Sequence, residues 1–277
     1  MSFMVDFEQY SVIGDPIGHS FSPLLHKVIF DYFKEKNKIY SKLKITSDGL
    51  VYNFSLLKSN FKGFNVTAPH KINIIKYLNE IDDFSKKIGS VNTVKNVDGK
   101  SIGYNTDAYG FLRSLDKFAN KLSGKNVLVL GSGATSRVVI SVLIDLNVKI
   151  LVAARNYEKL LELKQYIQDN NNYEIDILTL DKLKGDFFGI INTTSAFSEF
   201  GIGNLRISDF AYDVNYNKYR MTDFLYKFSS MDIQVIDGLD MLFYQGIKSQ
   251  EIWRDKVIEQ EDVSNIYKEF NKLFLEE

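Results

Sequence analysis

The segment Asn126-Val127-Leu128-Val129-Leu130-Gly131-Ser132-Gly133-Ala134-Thr135-Ser136 constrains this chain more than any other. It reads as an apolar strand, a glycine turn and the start of a helix. Gly131 permits a tight turn, and Gly133 lets the backbone approach a ligand closely. That order sets backbone N–H groups and a helix N-terminus against a diphosphate. Ser136 stands where a G-x-G-x-x-G loop has its third glycine, and a small residue there still permits close helix packing. Gly131, Ser132, Gly133, Ala134 and Thr135 are therefore candidate cofactor contacts.

The pattern repeats downstream. A helix is expected from Ala134 to Leu146, a strand from Lys149 to Ala154 and a helix from Tyr157 to Gln168. Further strands are expected at Ile175–Thr179, Gly189–Thr193, Phe210–Val214 and Gln234–Ile236. Strands alternating with helices give parallel β-α-β units, the Rossmann arrangement. The second strand runs into Ala153-Ala154-Arg155-Asn156. An NAD site usually carries an acid about 20 residues past the loop to hold the ribose 2′-hydroxyl. Here Arg155 stands in its place, with Lys159 one turn on, and a guanidinium suits a 2′-phosphate. NADP is the expected cofactor. The alternative is that both charges are merely solvated.

The first part of the chain is less regular and richer in polar motifs. Gly14-Asp15-Pro16-Ile17-Gly18-His19-Ser20-Phe21-Ser22-Pro23 leads from a strand at Tyr10–Ile13 into a helix expected over Pro23–Asn37. Ser22 is the expected N-cap, with Pro23 in the first turn. Ser20 and Ser22 also set two hydroxyls beside a helix N-terminus, which favours an anion. Ile39–Ile45 alternates as a strand does. Gly63-Phe64-Asn65-Val66-Thr67-Ala68-Pro69-His70-Lys71 is a strand and a loop that set a lysine before a helix expected at Ile72–Leu78. Val91–Lys95 and Lys100–Tyr104 flank Val97-Asp98-Gly99 as a hairpin. Asn92, Asn105 and Asp107 supply two amides and a carboxylate, although turn chemistry or a helix N-terminus could account for each. A helix is expected from Asp107 to Ala119, and the stretch Asp240–Leu275 is expected to be helical.

These elements predict an α/β protein of two domains with a cleft between them. An N-terminal α/β substrate-binding domain would cover residues 1–108, completed by helices in 238–277. A Rossmann-type dinucleotide-binding domain would cover 109–237. A length of 277 residues suits two modest domains. The net charge of −1 advertises no nucleic acid or anionic membrane as partner. Without cysteine there is no disulfide and no thiolate chemistry, and His19, His26 and His70 have no metal-site spacing. Met1–Tyr10 does not read as a signal peptide, and no run approaches the ~20 apolar residues of a membrane helix. A cytoplasmic location is expected, with monomer and homodimer both open.

Taken in order, these segments resemble the shikimate dehydrogenase family. The family pattern has G-x-P-I-x-H-S-x-S-P near the start, then N-V-T-x-P-x-K, V-N-T and N-T-D. A glycine cofactor loop, a basic cofactor segment and D-G-x-x-M-L-x-x-Q follow, the last present as Asp237 to Gln245. The resemblance implies NADP-dependent, reversible reduction of 3-dehydroshikimate to shikimate in chorismate and aromatic amino-acid biosynthesis. It implies that Ser20 and Ser22, with Tyr216, hold the substrate carboxylate. Thr67, Asn92, Asp107 and Gln245 would hold ring hydroxyls, and Lys71 and Asp107 would form the acid–base pair. Gly131, Gly133 and Arg155 would hold NADP, with Gly238 and Met241 bordering the nicotinamide. The chain departs from the family pattern at Lys27, Ala134, Thr135, Ala154, Asn217 and Asp240. A quinate or aminoshikimate dehydrogenase with another cofactor preference, and a silent ligand-binding module, are the neighbouring possibilities.

Overall fold

A computed structural model of the chain describes residues 7–116, 118–194 and 205–276. The chain divides into two compact units, Met1–Thr106 with Gln245–Glu277, and Asp107–Tyr244. The sequence drew these borders at 108/109 and 237/238. The second division instead falls inside one continuous helix, Leu239–Arg254, where no loop marks a border.

The first unit is built on a six-stranded sheet. Its strands are β1 (Glu8–Gly14), β2 (Lys38–Lys44), β3 (Gly63–Val66), β4 (Glu80–Ile81), β5 (Thr93–Val97) and β6 (Lys100–Tyr104), in the order β2-β1-β3-β5-β6-β4. β1 runs parallel to β2 and β3, whereas β5 is antiparallel to both β3 and β6. The turn between β5 and β6 has Asp98 at φ 50° and Gly99 at φ 71°, the geometry that makes Asp-Gly a hairpin signal. Helices α1 (Ser22–Tyr32), α2 (Leu50–Asn60) and α3 (Asp83–Ile88) pack around the sheet. Ile13, Leu50, Phe54, Phe64, Val66 and Val94 form one core cluster.

Tyr10, Phe30 and Trp253 form a second cluster, with the Trp253 indole N–H donating to the Val94 carbonyl at 2.9 Å. Trp253 lies in the C-terminal half of α9 (Leu239–Arg254), and Phe274 of α10 (Gln260–Glu276) meets Phe21 edge-on at 4.7 Å. From Gln245 onward the C-terminal helices belong to this unit.

The second unit has α4 (Asp107–Ser114), α5 (Ala119–Leu122), β7 (Asn126–Leu130), α6 (Ala134–Asp145), β8 (Lys149–Ala154), α7 (Tyr157–Asn171) and β9 (Asp176–Thr179). It continues through β10 (Gly185–Asn192), β11 (Leu205–Asp213), α8 (Asp223–Phe228) and β12 (Gln234–Ile236). The sheet order is β12-β11-β10-β7-β8-β9, with every pairing parallel. The chain therefore proceeds outward from β7 in one direction and then restarts at β10 on its other side. Ligands of such sheets bind outside the carboxyl ends of the strands at that reversal.

Several expectations need correcting. α1 ends at Tyr32 rather than Asn37, because Lys34 turns left-handed at φ 59°. Ile72–Leu78 is a short 3-10 helix over Asn73–Tyr77, not an α-helix. The helix expected from Asp107 to Ala119 stops at Ser114. Helices α2, α3 and α8 were not anticipated, although Asp82 and Thr222 cap the latter two through Ser85 N and Leu225 N. Part of the Met1–Tyr10 start, residues 1–6, lies outside the described residues. Among the described residues no helix is long and apolar enough to cross a membrane.

Candidate functional site

Ser22 is not the N-cap of α1. Phe21 occupies that position without a side-chain cap bond, and Ser22 is the first helical residue. Its hydroxyl is thereby released from capping. Ser20 donates to Ser22 Oγ at 3.1 Å, and Ser22 in turn bonds the Tyr40 phenol. Burial raises the Tyr40 phenol well above its ordinary pKa, so it stays a protonated donor. It gives that proton to Asn65 Oδ1 at 2.7 Å.

Asn65 then turns its amide nitrogen to Thr93 Oγ1 and Ser249 Oγ, both at 3.0 Å. Thr93 lies 3.1 Å from Thr106 Oγ1 and 2.9 Å from Ser249 Oγ. Asn92 closes the chain. Its Oδ1 accepts the Thr106 backbone N–H at 2.7 Å, which fixes which end of the carboxamide is oxygen. Its Nδ2 faces Thr106 Oγ1 at 2.9 Å and Gln245 Oε1 at 3.5 Å. One polar chain thus joins Ser20 and Ser22 to Asn92 and Gln245, and Ser22, Asn65, Asn92, Thr93, Thr106, Gln245 and Ser249 are all buried. Such a connected network rigidifies the groups it holds.

Asn65, Thr93 and Thr106 lay inside the quoted motifs without being singled out. Tyr40 and Ser249 carry no sequence signal at all. They join the site only because β2 and α9 fold against it.

Thr67 and Lys71 follow β3 in the same unit, both half-buried. Thr67 N donates to Ile13 O at 2.9 Å, and the Lys71 carbonyl accepts Val91 N at 2.8 Å, so the backbone of this loop is pinned at both residues. Asp107 is buried and opens α4 as the first residue of the second unit. The two members of the expected acid–base pair therefore come from different units.

The cofactor-side residues cluster at the carboxyl ends of β7 and its neighbours. Gly131 has φ 117°, and a Cβ there would stand 2.5 Å from Thr193 Oγ1. Ser136, in the place of the third glycine, accepts the Gly133 N–H at 3.1 Å and lies 2.7 Å from Thr193 Oγ1. It does more than fit: it ties the loop to β10. A Cβ on Gly133 would meet nothing within 4 Å, so the loop has open space on that side. Ser132, Ala134 and Thr135 are partly exposed along the same turn.

At the end of β8, Arg155 and Lys159 are exposed, and neither forms an ion pair among the described residues. Asn156 caps α7 by accepting Lys159 N at 3.0 Å, so the lysine backbone is fixed while its side chain stays outside. Open glycine loop, helix start and unpaired cations fit a phosphorylated dinucleotide.

At the ends of β10 and β11, Asp213 Oδ1 accepts Asn192 Nδ2 at 3.0 Å and Asn215 Nδ2 at 2.8 Å. The Asn215 carbonyl accepts Gly238 N at 3.0 Å. A Cβ on Gly238 would stand 2.1 Å from the Val214 carbonyl oxygen, so only glycine allows this approach. Burial raises both the Asp213 and Asp237 carboxyls above their ordinary pKa. Tyr216 is half-buried on the loop after β11, and Met241 is buried in the first turn of α9. Among the described residues no cluster of three or more His, Asp or Glu side chains could hold a metal.

Known proteins share this plan. A family model described as the shikimate dehydrogenase substrate binding domain matches residues 12–94. A second, described as shikimate / quinate 5-dehydrogenase, matches residues 114–199. A protein of Bacillus cereus (strain B4264) named shikimate dehydrogenase (NADP(+)) is 37% identical over 255 residues, covering 88% of this chain and 91% of its own. This chain belongs to the shikimate dehydrogenase family. A Methanococcus maripaludis relative with the same name is also 37% identical, over 258 residues, covering 88% of this chain and 91% of its own. The crystal structure of shikimate dehydrogenase from Aquifex aeolicus superposes with a TM-score of 0.82 at 32% identity, covering 94% of this chain and 97% of that one. The match therefore embraces both units, and the two-domain α/β architecture is that of the family.

Proposed function

We propose that this chain catalyses the reversible, NADP-dependent reduction of 3-dehydroshikimate to shikimate, a step of chorismate and aromatic amino-acid biosynthesis, in the cytoplasm. The observation that carries the reading is the polar chain, half-buried at Ser20 and Tyr40 and buried beyond, from Ser20 and Ser22 to Asn92 and Gln245. A polyhydroxylated ring bearing a carboxylate needs hydroxyl donors for the acid and oriented amides for its alcohols. The first unit serves as the substrate-binding unit and the second as the dinucleotide-binding unit.

Ser20 and Ser22 hold the substrate carboxylate, with Tyr216. Thr67, Asn92, Asp107 and Gln245 hold ring hydroxyls. Binding requires the two serine protons to turn from the Ser20–Ser22–Tyr40 chain toward the carboxylate, because each hydroxyl has one proton to give. NADPH, when bound, supplies hydride to the ketone carbon. Lys71 and Asp107 form the acid–base pair that delivers a proton to the oxygen as it becomes an alcohol, and removes it in the reverse direction. Gly131, Ser132, Gly133, Ala134 and Thr135 hold the diphosphate, Arg155 and Lys159 the 2′-phosphate, and Gly238 and Met241 border the nicotinamide.

NADPH absorbance followed with 3-dehydroshikimate tests this directly, with NADH and 3-dehydroquinate as controls. Rapid loss of NADPH with 3-dehydroshikimate alone is expected. Faster turnover with 3-dehydroquinate, or with NADH, would reassign the substrate or the cofactor.

A further inference from the structure

We propose that Ser249 is a positioning residue of the substrate site, whose hydroxyl closes a triangle with Thr93 and Thr106 and so orients the Asn92 carboxamide. The proposal rests on the reading that Asn92 contacts substrate.

Ser249 lies on α9, one turn after Gln245, and is fully buried. Its Oγ donates to the Gln245 carbonyl at 2.9 Å. That uses its single proton, so toward every other neighbour Ser249 Oγ is an acceptor. Asn65 Nδ2 approaches it at 3.0 Å, Thr93 Oγ1 at 2.9 Å and Thr106 Oγ1 at 3.2 Å.

The two threonines have a second claimant for their protons. Asn92 Oδ1 lies 3.0 Å from Thr93 Oγ1 and 3.1 Å from Thr106 Oγ1, and already accepts the Thr106 backbone N–H. A carbonyl oxygen has two lone pairs, so Asn92 Oδ1 has room for one hydroxyl only. In the arrangement that serves all these groups, Thr106, which accepts from Asn92 Nδ2, gives its proton to Ser249 Oγ, and Thr93 gives its proton to Asn92 Oδ1. The Asn92 amide nitrogen is then directed away, toward Thr106 Oγ1 and Gln245 Oε1.

Removing the Ser249 hydroxyl takes an acceptor from Asn65 and from the threonine pair, and takes the donor from the Gln245 carbonyl. The protons around Asn92 Oδ1 must then be redistributed. Because every partner is buried, water does not readily replace the lost oxygen. Ser249 touches neither the proposed carboxylate serines nor Lys71 in any described bond, so its effect should appear in substrate binding and not in the chemical step.

The test is steady-state kinetics of Ser249→Ala, Asn92→Ala and the double variant, with shikimate and NADP varied separately. Ser249→Ala should raise the KM for shikimate about fivefold, with kcat and the KM for NADP within about twofold. In the Asn92→Ala background it should have no further effect on the KM for shikimate, since the amide it orients is gone. Ser249→Cys keeps the volume with a weak acceptor, so it should lie between the parent and Ser249→Ala and covers the case in which alanine folds poorly.

An unchanged KM for shikimate in Ser249→Ala and Ser249→Cys would overturn the proposal. So would an effect of full size in the double variant, which marks a general loosening of the unit. Asn92→Ala alone checks the underlying reading. If it leaves the KM for shikimate unchanged, Asn92 is no substrate contact and the site assignment falls with it. If it raises that KM while Ser249→Ala does not, only the role of Ser249 falls.

Discussion

The two units build their candidate ligand sites by different means. In the first, side chains from β2, β3, β5 and α9 are wired into one hydrogen-bond chain, as in Tyr40 to Asn65 and Asn65 to Ser249. In the second, the backbone dominates: a glycine at φ 117°, a helix N-terminus and the Gly133 N–H held by Ser136. A ring with several alcohols has to be distinguished from near relatives, which demands donors and acceptors fixed in direction. A diphosphate is the same in every dinucleotide, and a generic turn suffices. In the proposed assignment the variable part of the cofactor falls to two exposed cations, Arg155 and Lys159.

The largest predicted effect concerns Lys71 of the first unit, a member of the proposed acid–base pair. Lys71→Ala should lower kcat by about 10²–10⁴-fold while leaving the KM for shikimate within a few-fold. Steady-state rates in both directions measure this, and near-normal turnover would remove Lys71 from the proton path.

Next is the backbone of the second unit. Gly131→Ala combines a left-handed φ with a Cβ 2.5 Å from Thr193 Oγ1. It should destabilise by about 1–3 kcal/mol and weaken NADP more than shikimate. Chemical denaturation with both binding constants checks it, and an unperturbed variant would mean that the turn is not constrained as described.

A further contrast separates the units by pH. His26 is buried in the first unit, its pKa lowered from 6.5 to about 3, first by desolvation. The folded unit therefore binds this proton less readily than the unfolded chain. Its stability is full above about pH 6.5 and falls as the pH drops toward 3, by at most about 1.4 kcal/mol per pH unit. Asp213 and Asp237 in the second unit are raised by burial. Their folded forms hold the proton more readily, so their contribution is full below the unfolded carboxyl pKa and is lost as pH rises through the folded values. Acidification should thus weaken the first unit through His26 while these two carboxyls favour the second. Trp253, the single tryptophan, lies 5.3 Å from the His26 ring and reports the first unit by fluorescence. His26→Gln should flatten the acid dependence of that signal, and an identical dependence would exclude His26 as its source.

The same contrast governed what could be read from the sequence. In the second unit β7, β8 and β12 fall at the expected residues, Asn126–Leu130, Lys149–Ala154 and Gln234–Ile236. Each is encoded locally, by an apolar run and the turn that ends it. The family motifs likewise carried Ser20, Ser22, Asn92 and Gln245 to one network. Tyr40 and Ser249 were illegible because their partners are remote: Ser249 meets Asn65 across 184 positions and Thr93 across 156. The Ser22 cap was misread for a related reason. Ser-Pro is a helix-start signal, but Ser22 enters the helix itself and its hydroxyl bonds Tyr40.

The division of labour between the units is tested most directly by calorimetric binding of shikimate and of NADP, each alone, to Ser20→Ala and Arg155→Gln. Ser20→Ala is predicted to weaken shikimate about tenfold and leave NADP unchanged, and Arg155→Gln to weaken NADP about tenfold and leave shikimate unchanged. If either variant weakens the other ligand instead, or both ligands equally, the separation of a side-chain substrate site from a backbone cofactor site is contradicted.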